Sequence, residues 1–218
     1  LDEVVAEIRD AGGRAEALAA DVADAQTAPR LVDLAETSFG RLDVLVNNAA
    51  YEGPVAPFLE VDEAELHRAL EVNLLGAWRL CRAVLPGMLA RGYGRIISIM
   101  GPIPETPAPL HAVVGASKGA VLGLTRSLAA EVAPAGVTVN ALCAGAIEGT
   151  EMSDRMLGGY ARFAGIPLEE VKAMMVQRAP QLRTQELVEV AAVAAFLASP
   201  AAGSITAQSV KAAGGMFV

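Results

Sequence analysis

The sequence has neither long uncharged hydrophobic runs nor clusters of basic residues. No run approaches the roughly 18 apolar residues that a membrane-spanning helix requires, so no membrane span is expected. Lys and Arg together number 17 against 25 Asp and Glu, which gives a net charge of -8 with no basic cluster to hold phosphates. We therefore expect neither a nucleic-acid partner nor a membrane partner.

Cysteine is scarce. Cys81 and Cys143 lie far apart in apolar stretches, and neither has a second ligand at the spacing of a metal site. This pattern favours buried, reduced, structural thiols and no metal, with a lone disulfide or a reactive thiol as the alternatives. No signal-peptide pattern opens the chain, so we expect a cytoplasmic protein.

Hydrophobic residues are plentiful, at 53% of the 218 positions, and general disorder is therefore excluded. The length suits one well-buried core, so we predict a single domain over 1–218. Apolar periodicity predicts helices over 1–11, 25–39, 62–90, 110–133, 150–179 (as one or two helices) and 185–198. Short apolar runs predict strands over 15–22, 42–46, 95–100, 137–143 and 204–211. Alternating strands and helices predict an α/β fold with a parallel sheet and helices on both faces.

A series of short motifs follows these predicted elements in order. They are Asp21-Val22, Asn47-Asn48-Ala49-Ala50, Val72-Asn73-Leu74-Leu75-Gly76, Ala116-Ser117-Lys118-Gly119-Ala120, Val137-Thr138-Val139-Asn140, Phe196-Leu197-Ala198-Ser199 and Ile205-Thr206-Ala207-Gln208. In type, order and spacing they resemble motifs of the short-chain dehydrogenase/reductase family. The style is closest to its enoyl-acyl-carrier-protein reductase-like and 3-oxoacyl reductase-like members. The resemblance implies a Rossmann-like, doubly wound parallel sheet and a carbonyl or enoyl substrate.

The resemblance also implies a nicotinamide cofactor, NAD or NADP, and residues to hold it. On the matching positions the catalytic residues are Asn73 and Lys118. The positions implied to bind the cofactor are Asp21 and Val22 beside the adenine, with Asn48, Ala49, Lys118, Gly145, Ile147 and Thr150 along the rest. These residues are not expected to discriminate between NAD and NADP.

Two catalytic positions of the family hold residues that cannot transfer a proton. The family's tyrosine lies four residues before the lysine, at Val114 here, and its serine position is Gly101. The enoyl reductase branch places its tyrosine seven residues before the lysine, at His111. Two helical turns separate His111 from Lys118, so an imidazole acid or base is one hypothesis. A partly exposed histidine with no catalytic role is the other, and Tyr51 is a third candidate acid.

The family's opening glycine-rich turn, which holds the cofactor pyrophosphate at a helix N-terminus, has no counterpart in the sequence. The resemblance therefore implies a fold that lacks the first β-α-β unit. In the family's strand order the strand at 15–22 then loses its neighbour, and the strand at 42–46 has an open edge.

Three functions stay open. The chain is an NAD(P)-dependent oxidoreductase or a truncated, inactive remnant of one; a catalytically silent partner subunit; or a non-redox lyase or dehalogenase-like enzyme that uses His111 and Lys118. The resemblance also implies a homo- or hetero-oligomer through the helices at 62–90 and 110–133.

Overall fold

The computed structural model describes residues 1–147 and 149–216. Its strands are β1 (Val44–Asn47), β2 (Gly94–Met100), β3 (Val137–Ala144) and β4 (Ser209–Ala212). Its α-helices are α1 (Asp2–Asp10), α2 (Thr27–Phe39), α3 (Glu63–Ala69), α4 (Gly76–Arg91), α5 (Ala112–Val132), α6 (Glu151–Ala164), α7 (Leu168–Arg178) and α8 (Leu187–Ala198).

The four strands form one parallel sheet in the order β1-β2-β3-β4. Val44 pairs with Arg95, Gly94 with Val137, and Ala141 with Ser209. Parallel strands need crossover connections, which the intervening helices provide. The predicted α/β class is confirmed.

Both faces of the sheet are covered, as predicted. Ile96 of β2 points to one face and packs with Met88 of α4 and Ala129 of α5. Its neighbour Ile97 points to the other face and packs with Leu197 of α8. Every residue of β3 is buried, as expected for a central parallel strand.

The prediction of a strand over 15–22 is wrong, because this segment is irregular. An extended segment becomes part of a sheet only when a neighbouring strand exchanges hydrogen bonds with it. No strand of the described chain lies beside it. The other consequence of the implied topology is present: among the described residues β1 pairs with β2 alone, and Val44 and Val46 are 36% and 44% exposed.

The predicted helix over 62–90 is interrupted in its hydrogen bonding. It consists of α3, a π-helical turn over Leu70–Leu75, and α4. The sequence pattern gave no sign of the π turn, because apolar periodicity runs through it. The region 150–179 forms two helices, with α6 ending at Gly165 in the left-handed conformation (φ 67°).

Within the described part of the chain, no helix is long and apolar enough to cross a membrane.

Candidate functional site

A cavity of about 330 Å³ lies along the open edge of β1, between α2 and α4, and reaches the carboxyl ends of β1 and β2. Parallel α/β sheets bind ligands at the carboxyl ends of their strands. The walls of the cavity are mostly apolar, with polar side chains from four elements at one side. The polar lining residues are Asn47, Asn48, Asn73, Ser98 and Lys118, and the apolar ones include Val22, Leu31, Val32, Ala35, Leu42, Leu45 and Val46. The cavity therefore brings Asn73 and Lys118, the two implied catalytic residues, into one space.

Asn73 lies in the π turn and is buried. Its Oδ1 accepts a hydrogen bond from the Tyr51 amide (2.8 Å), and its Nδ2 donates to the Tyr51 carbonyl (2.8 Å) and to Ser117 Oγ (2.9 Å). These bonds join the loop after β1 to α5. Functional sites often contain such π turns. Asn73 thus positions the backbone around the cavity, while its capacity for hydrogen bonding is already largely used.

Lys118 projects from α5 and is only 6% exposed. Its Nζ donates to the Ile99 carbonyl (3.0 Å), and no ion pair with a carboxylate reaches it in residues 1–147 and 149–216. Burial without a counter-charge disfavours the ammonium form and lowers the pKa of Lys118 to about 8. At pH 7 roughly a tenth of its amine is therefore free base, and the rest is ammonium.

His111 occupies the N-cap position of α5. Its Nδ1 lies 2.6 Å from the Pro109 carbonyl. Since a carbonyl only accepts, Nδ1 carries the hydrogen of this contact. His111 does not line the cavity, and no hydrogen bond in the described chain joins it to Lys118. The structure thus does not bring together the proposed histidine and lysine pair.

Gly101 and Val114 stand where the resemblance places serine and tyrosine. A Cβ built on Gly101 would meet no atom within 4 Å, so a side chain has room there. The Gly101 carbonyl accepts a hydrogen bond from Cys143 Sγ (3.2 Å). The Val114 carbonyl accepts from Ser117 Oγ (3.3 Å), and its isopropyl group offers no proton.

The Tyr51 hydroxyl is bonded outside the cavity and is not placed for proton transfer in it. The hydroxyl donates to Glu65 of α3, and Arg68 stacks on the ring at 4.3 Å. The hydrogen bond to the Glu65 carboxylate, together with burial, raises the pKa of Tyr51. An acid for catalysis near neutral pH needs a lower pKa, so Tyr51 is unsuited to replace the missing tyrosine.

A polar cluster missed by the sequence analysis lies behind the cavity. Asn47 Nδ2 donates to Ser98 Oγ (3.4 Å) and to Cys81 Sγ (3.7 Å). Burial raises the pKa of the Cys81 thiol to about 11, which fits a structural thiol. Asn47 Oδ1 is buried and has no hydrogen-bond partner among the described residues. A buried acceptor without a hydrogen-bond partner is costly.

The residues implied for the adenosine side lie along the same edge. Asp21 is exposed, and its Oδ1 accepts from the Ala23 amide (2.9 Å). Val22 packs closely on Gly76, whose added Cβ would lie 3.1 Å from the Val22 carbonyl. Asn48 and Ala49 are exposed directly after β1.

Gly145, Ile147 and Thr150 follow β3 at the other half of the edge. An added Cβ on Gly145 would lie 2.1 Å from Gln185 Oε1 and 2.9 Å from Ala213 Cα. Ile147 forms a parallel bridge with Gln185. The Thr150 hydroxyl accepts from the Ser153 amide (3.3 Å) and caps α6.

The helix α6 closes against the loop after β1. Arg155 of α6 forms an ion pair with Glu52, whose side chain is only 9% exposed. An added Cβ on Gly159 would lie 2.8 Å from Val55 Cβ, so the helix backbone and the loop are in close contact. These contacts join the two halves of the site, and no sequence motif indicated them.

The residues present fit the two ends of a nicotinamide nucleotide. At one end, only Oδ1 of the Asp21 carboxylate accepts the hydrogen bond from the Ala23 amide. At the other end, the exposed residues Asn48 and Ala49 line the same cavity as Lys118. No strand-to-helix glycine-rich turn that would hold the phosphates occurs among the 218 residues. No group of three or more metal-binding side chains occurs in the part of the chain that the structure describes.

Comparisons with known proteins agree with this geometry. A family model described as enoyl-(acyl carrier protein) reductase matches residues 1–217. A Streptomyces virginiae protein named as a ketoacyl reductase of the monensin polyketide synthase is 36% identical over 211 residues, which cover 96% of this chain and 80% of that protein.

Solved structures show the same similarity. An actinorhodin polyketide ketoreductase with NADPH has a TM-score of 0.93 at 34% identity, covering 100% of this chain and 83% of that one. NAD⁺-bound xylitol dehydrogenase has a TM-score of 0.94 at 29% identity, covering 99% and 84%. The chain therefore belongs to the short-chain dehydrogenase/reductase family of NAD(P)-dependent oxidoreductases.

Proposed function

We propose that this chain reduces a small carbonyl compound with a nicotinamide nucleotide, and that Lys118 supplies the proton in place of the missing tyrosine. The observation that carries the proposal is that Lys118 lines the cavity in which Asn73 also lies, whereas His111 does not. The proteins similar to it include one named as a ketoacyl reductase and a xylitol dehydrogenase. When bound, the nucleotide supplies the hydride.

The protein's own residues would hold the two ends of the nucleotide. Asp21 would accept from the adenine amine, and Asn48 and Lys118 would bind the sugar near the nicotinamide. Ile147 and Thr150 would meet the amide group.

Lys118 would act as the general acid at its Nζ. An ammonium with a pKa of about 8 gives up a proton more readily than an ordinary lysine, and it lies in a mostly apolar cavity where a developing oxyanion attracts it strongly. The Ile99 carbonyl takes one of its hydrogen bonds and directs the amine.

Nucleotide oxidation with a β-ketoester as substrate tests the proposal. General acid catalysis is worth about 10² to 10⁴ in rate, so Lys118→Met is expected to lose at least about 100-fold in kcat. His111→Ala is the matched control and is expected to retain the activity within about 3-fold. Loss of activity in His111→Ala with activity kept in Lys118→Met would overturn the assignment.

Restoring the family's residues provides a second test. Gly101→Ser together with Val114→Tyr is expected to raise kcat about 10- to 100-fold, because a phenol beside Lys118 transfers the proton more directly. The open space at Gly101 accommodates the serine. An unchanged rate, with nucleotide binding intact, would show that proton transfer is not what limits this chain.

A catalytically silent partner subunit is the second candidate, and an exposed aromatic residue favours it. Trp78 on α4 is 51% exposed and Leu89 is 41% exposed, on the helix expected to contact another subunit. Large exposed apolar side chains are typical of interfaces. We propose an oligomer formed through α4 and α5, and Trp78→Arg is expected to reduce the mass measured by light scattering. A monomeric parent protein would contradict it.

We also propose a cytoplasmic location. Cys81 and Cys143 are both buried and unpaired, which suits a reducing compartment.

A further inference from the structure

The helices α6 and α7 pack on each other, and no other helix or strand of the described chain lies comparably close to either of them. Gly149 precedes α6 with a φ of 75°, and a Cβ built on it would meet no atom within 4 Å. Beyond α7, Ala179 is buried in a cluster with Ala213 and Met216. The two helices are therefore anchored to the sheet at their ends, and an unpacked glycine gives them a joint.

The loop that α6 meets is fixed beside the implied catalytic residues. The Tyr51 amide and carbonyl are both hydrogen-bonded to Asn73. Two residues later, Gly53 lies so close to α5 that an added Cβ would be 2.6 Å from Val113 Cγ1. Val113 is the neighbour of the position where the resemblance places the tyrosine. Glu52, between these two attachments, is therefore held at the side of the site.

Arg155 of α6 lies between two carboxylates. Its Nε donates to Glu52 Oε1 across the gap between helix and loop, and its Nη1 lies 3.4 Å from Glu151 Oε2, one turn earlier on the same helix. The Glu52 side chain is 9% exposed and the Glu151 side chain is 94% exposed. A displacement of α6 would break the first pair and leave the second, because Glu151 moves with the helix. The guanidinium thus has a partner in both positions.

We infer that α6 and α7 are a lid over the site, that the ion pair of Arg155 with Glu52 latches it to the loop after β1, and that Arg155 turns to Glu151 when the lid opens. The close approach of Gly159 to Val55 completes the closed position. Such a lid admits a ligand when open and excludes water when closed. The motion requires neither nucleotide nor substrate, so it is independent of the proposed proton transfer.

The latch is weak enough to open by thermal motion. Arg155 is 57% exposed, so its guanidinium keeps much of its hydration in the closed position. Ion pairs with an exposed partner contribute little to stability. We therefore expect a minor open population in the parent protein, which single substitutions at the latch increase.

Distances between spin labels measure the position of the lid. Glu63 on α3 and Arg162 on α6 are both exposed, so Glu63→Cys and Arg162→Cys each accept a label. Cys81 and Cys143 are buried and are expected to stay unlabelled. Double electron–electron resonance on the whole chain, without nucleotide, then gives the distribution of distances between α3 and α6.

Glu52→Gln removes the charge and keeps the size, so the fraction of long distances is expected to rise at least about 3-fold. Arg155→Gln should give a similar rise, and the double variant no more than the larger of the two, because both substitutions break one ion pair. Glu151→Gln is the matched control. It removes the partner of the open position, so the fraction of long distances should be unchanged or lower.

An unchanged distribution in Glu52→Gln overturns the latch, and one narrow distribution in every protein overturns the lid as well. Equal rises in Glu52→Gln and Glu151→Gln would mean that any lost charge loosens α6, which also contradicts the inference. Hydrogen exchange of the α6 amides should be the same in Glu52→Gln as in the parent protein, since the lid moves as a unit. Faster exchange there would show local unfolding of the helix in place of lid motion and would likewise overturn it.

Discussion

The two halves of the carboxyl edge of the sheet are built differently. At the ends of β1 and β2 there is a cavity that Lys118 lines. At the ends of β3 and β4 the chain is closely packed: Gly145 leaves no space for a Cβ beside Gln185 and Ala213. The first half therefore keeps room for chemistry, while the second half is closed by backbone contacts.

The largest expected effect comes from Asn73, which holds the first half together. Asn73→Ala removes three hydrogen bonds and leaves the Tyr51 amide and carbonyl unpaired, so we expect a loss of about 4 kcal/mol in the free energy of unfolding. Asn48→Ala, at an exposed position next to the same cavity, is the control and is expected to cost about 0.5 kcal/mol or less. Urea unfolding measures both. Equal losses would mean that the two asparagines do not differ in role.

The burial of Lys118 should appear as a dependence of stability on pH. Its pKa is about 8 in the folded chain against an ordinary 10.5. Between these values the unfolded chain holds a proton that the folded chain has released, so the free energy of unfolding rises with pH from about 8 to about 10.5, by about 3 kcal/mol in total.

Lys118→Met removes this titration, so the variant should lack the rise. It should also be more stable than the parent protein at pH 7 by about 1 to 3 kcal/mol. Urea unfolding of both proteins at pH 7, 9 and 10 provides the measurement. A parallel pH dependence in the two proteins would show that Lys118 is not desolvated.

Alanine substitutions at two glycines test how closely each half of the edge is packed. Gly145→Ala places a Cβ 2.9 Å from Ala213 Cα, a contact that only a backbone shift relieves, and we expect a loss of about 2 kcal/mol. Gly101→Ala meets no atom within 4 Å and should change stability by about 0.5 kcal/mol or less. The two melting temperatures decide the comparison, and a tolerated Gly145→Ala would show that the second half is not closed.

The smallest expected effect is at Tyr51. Tyr51→Phe removes the hydroxyl that donates to Glu65 while the ring stays under Arg68, so we expect a loss of about 1 kcal/mol in stability. Activity towards a carbonyl substrate should stay within about 2-fold, since the hydroxyl points away from the reacting groups. A large drop in kcat at unchanged stability would return Tyr51 to the list of candidate acids.

Much of the fold follows from sequence patterns. Apolar periodicity located the helices and four of the strands, because burial of one helix face or of a central strand leaves a regular trace. The strand over 15–22 was predicted wrongly, since pairing depends on a neighbour and not on the segment alone.

The candidate site was only partly predictable. Motifs pointed to Asn73 and Lys118, and the structure brings both to one cavity. Ser117 belongs to a quoted motif, but its hydrogen bond to Asn73 and that of Ser98 to Asn47 were not predicted, because the pattern of a serine in an apolar segment does not depend on whether it meets an amide. The spacing of seven residues suggested a pairing of His111 with Lys118 that the structure does not make, since the ring turns back to the Pro109 carbonyl at the start of α5.

The π turn has a consequence for how this protein tolerates changes in length. A π turn is an α-helix with one additional residue, and each residue rotates an α-helix by about 100°. The extra residue over Leu70–Leu75 therefore sets the rotation between α3, which carries Glu65, and α4, which packs on the sheet. Deletion of one residue there would leave the composition almost unchanged, yet it would turn Glu65 and its partners on α3 away from Tyr51 and the cavity. At this point the site depends on the number of residues more than on their identity.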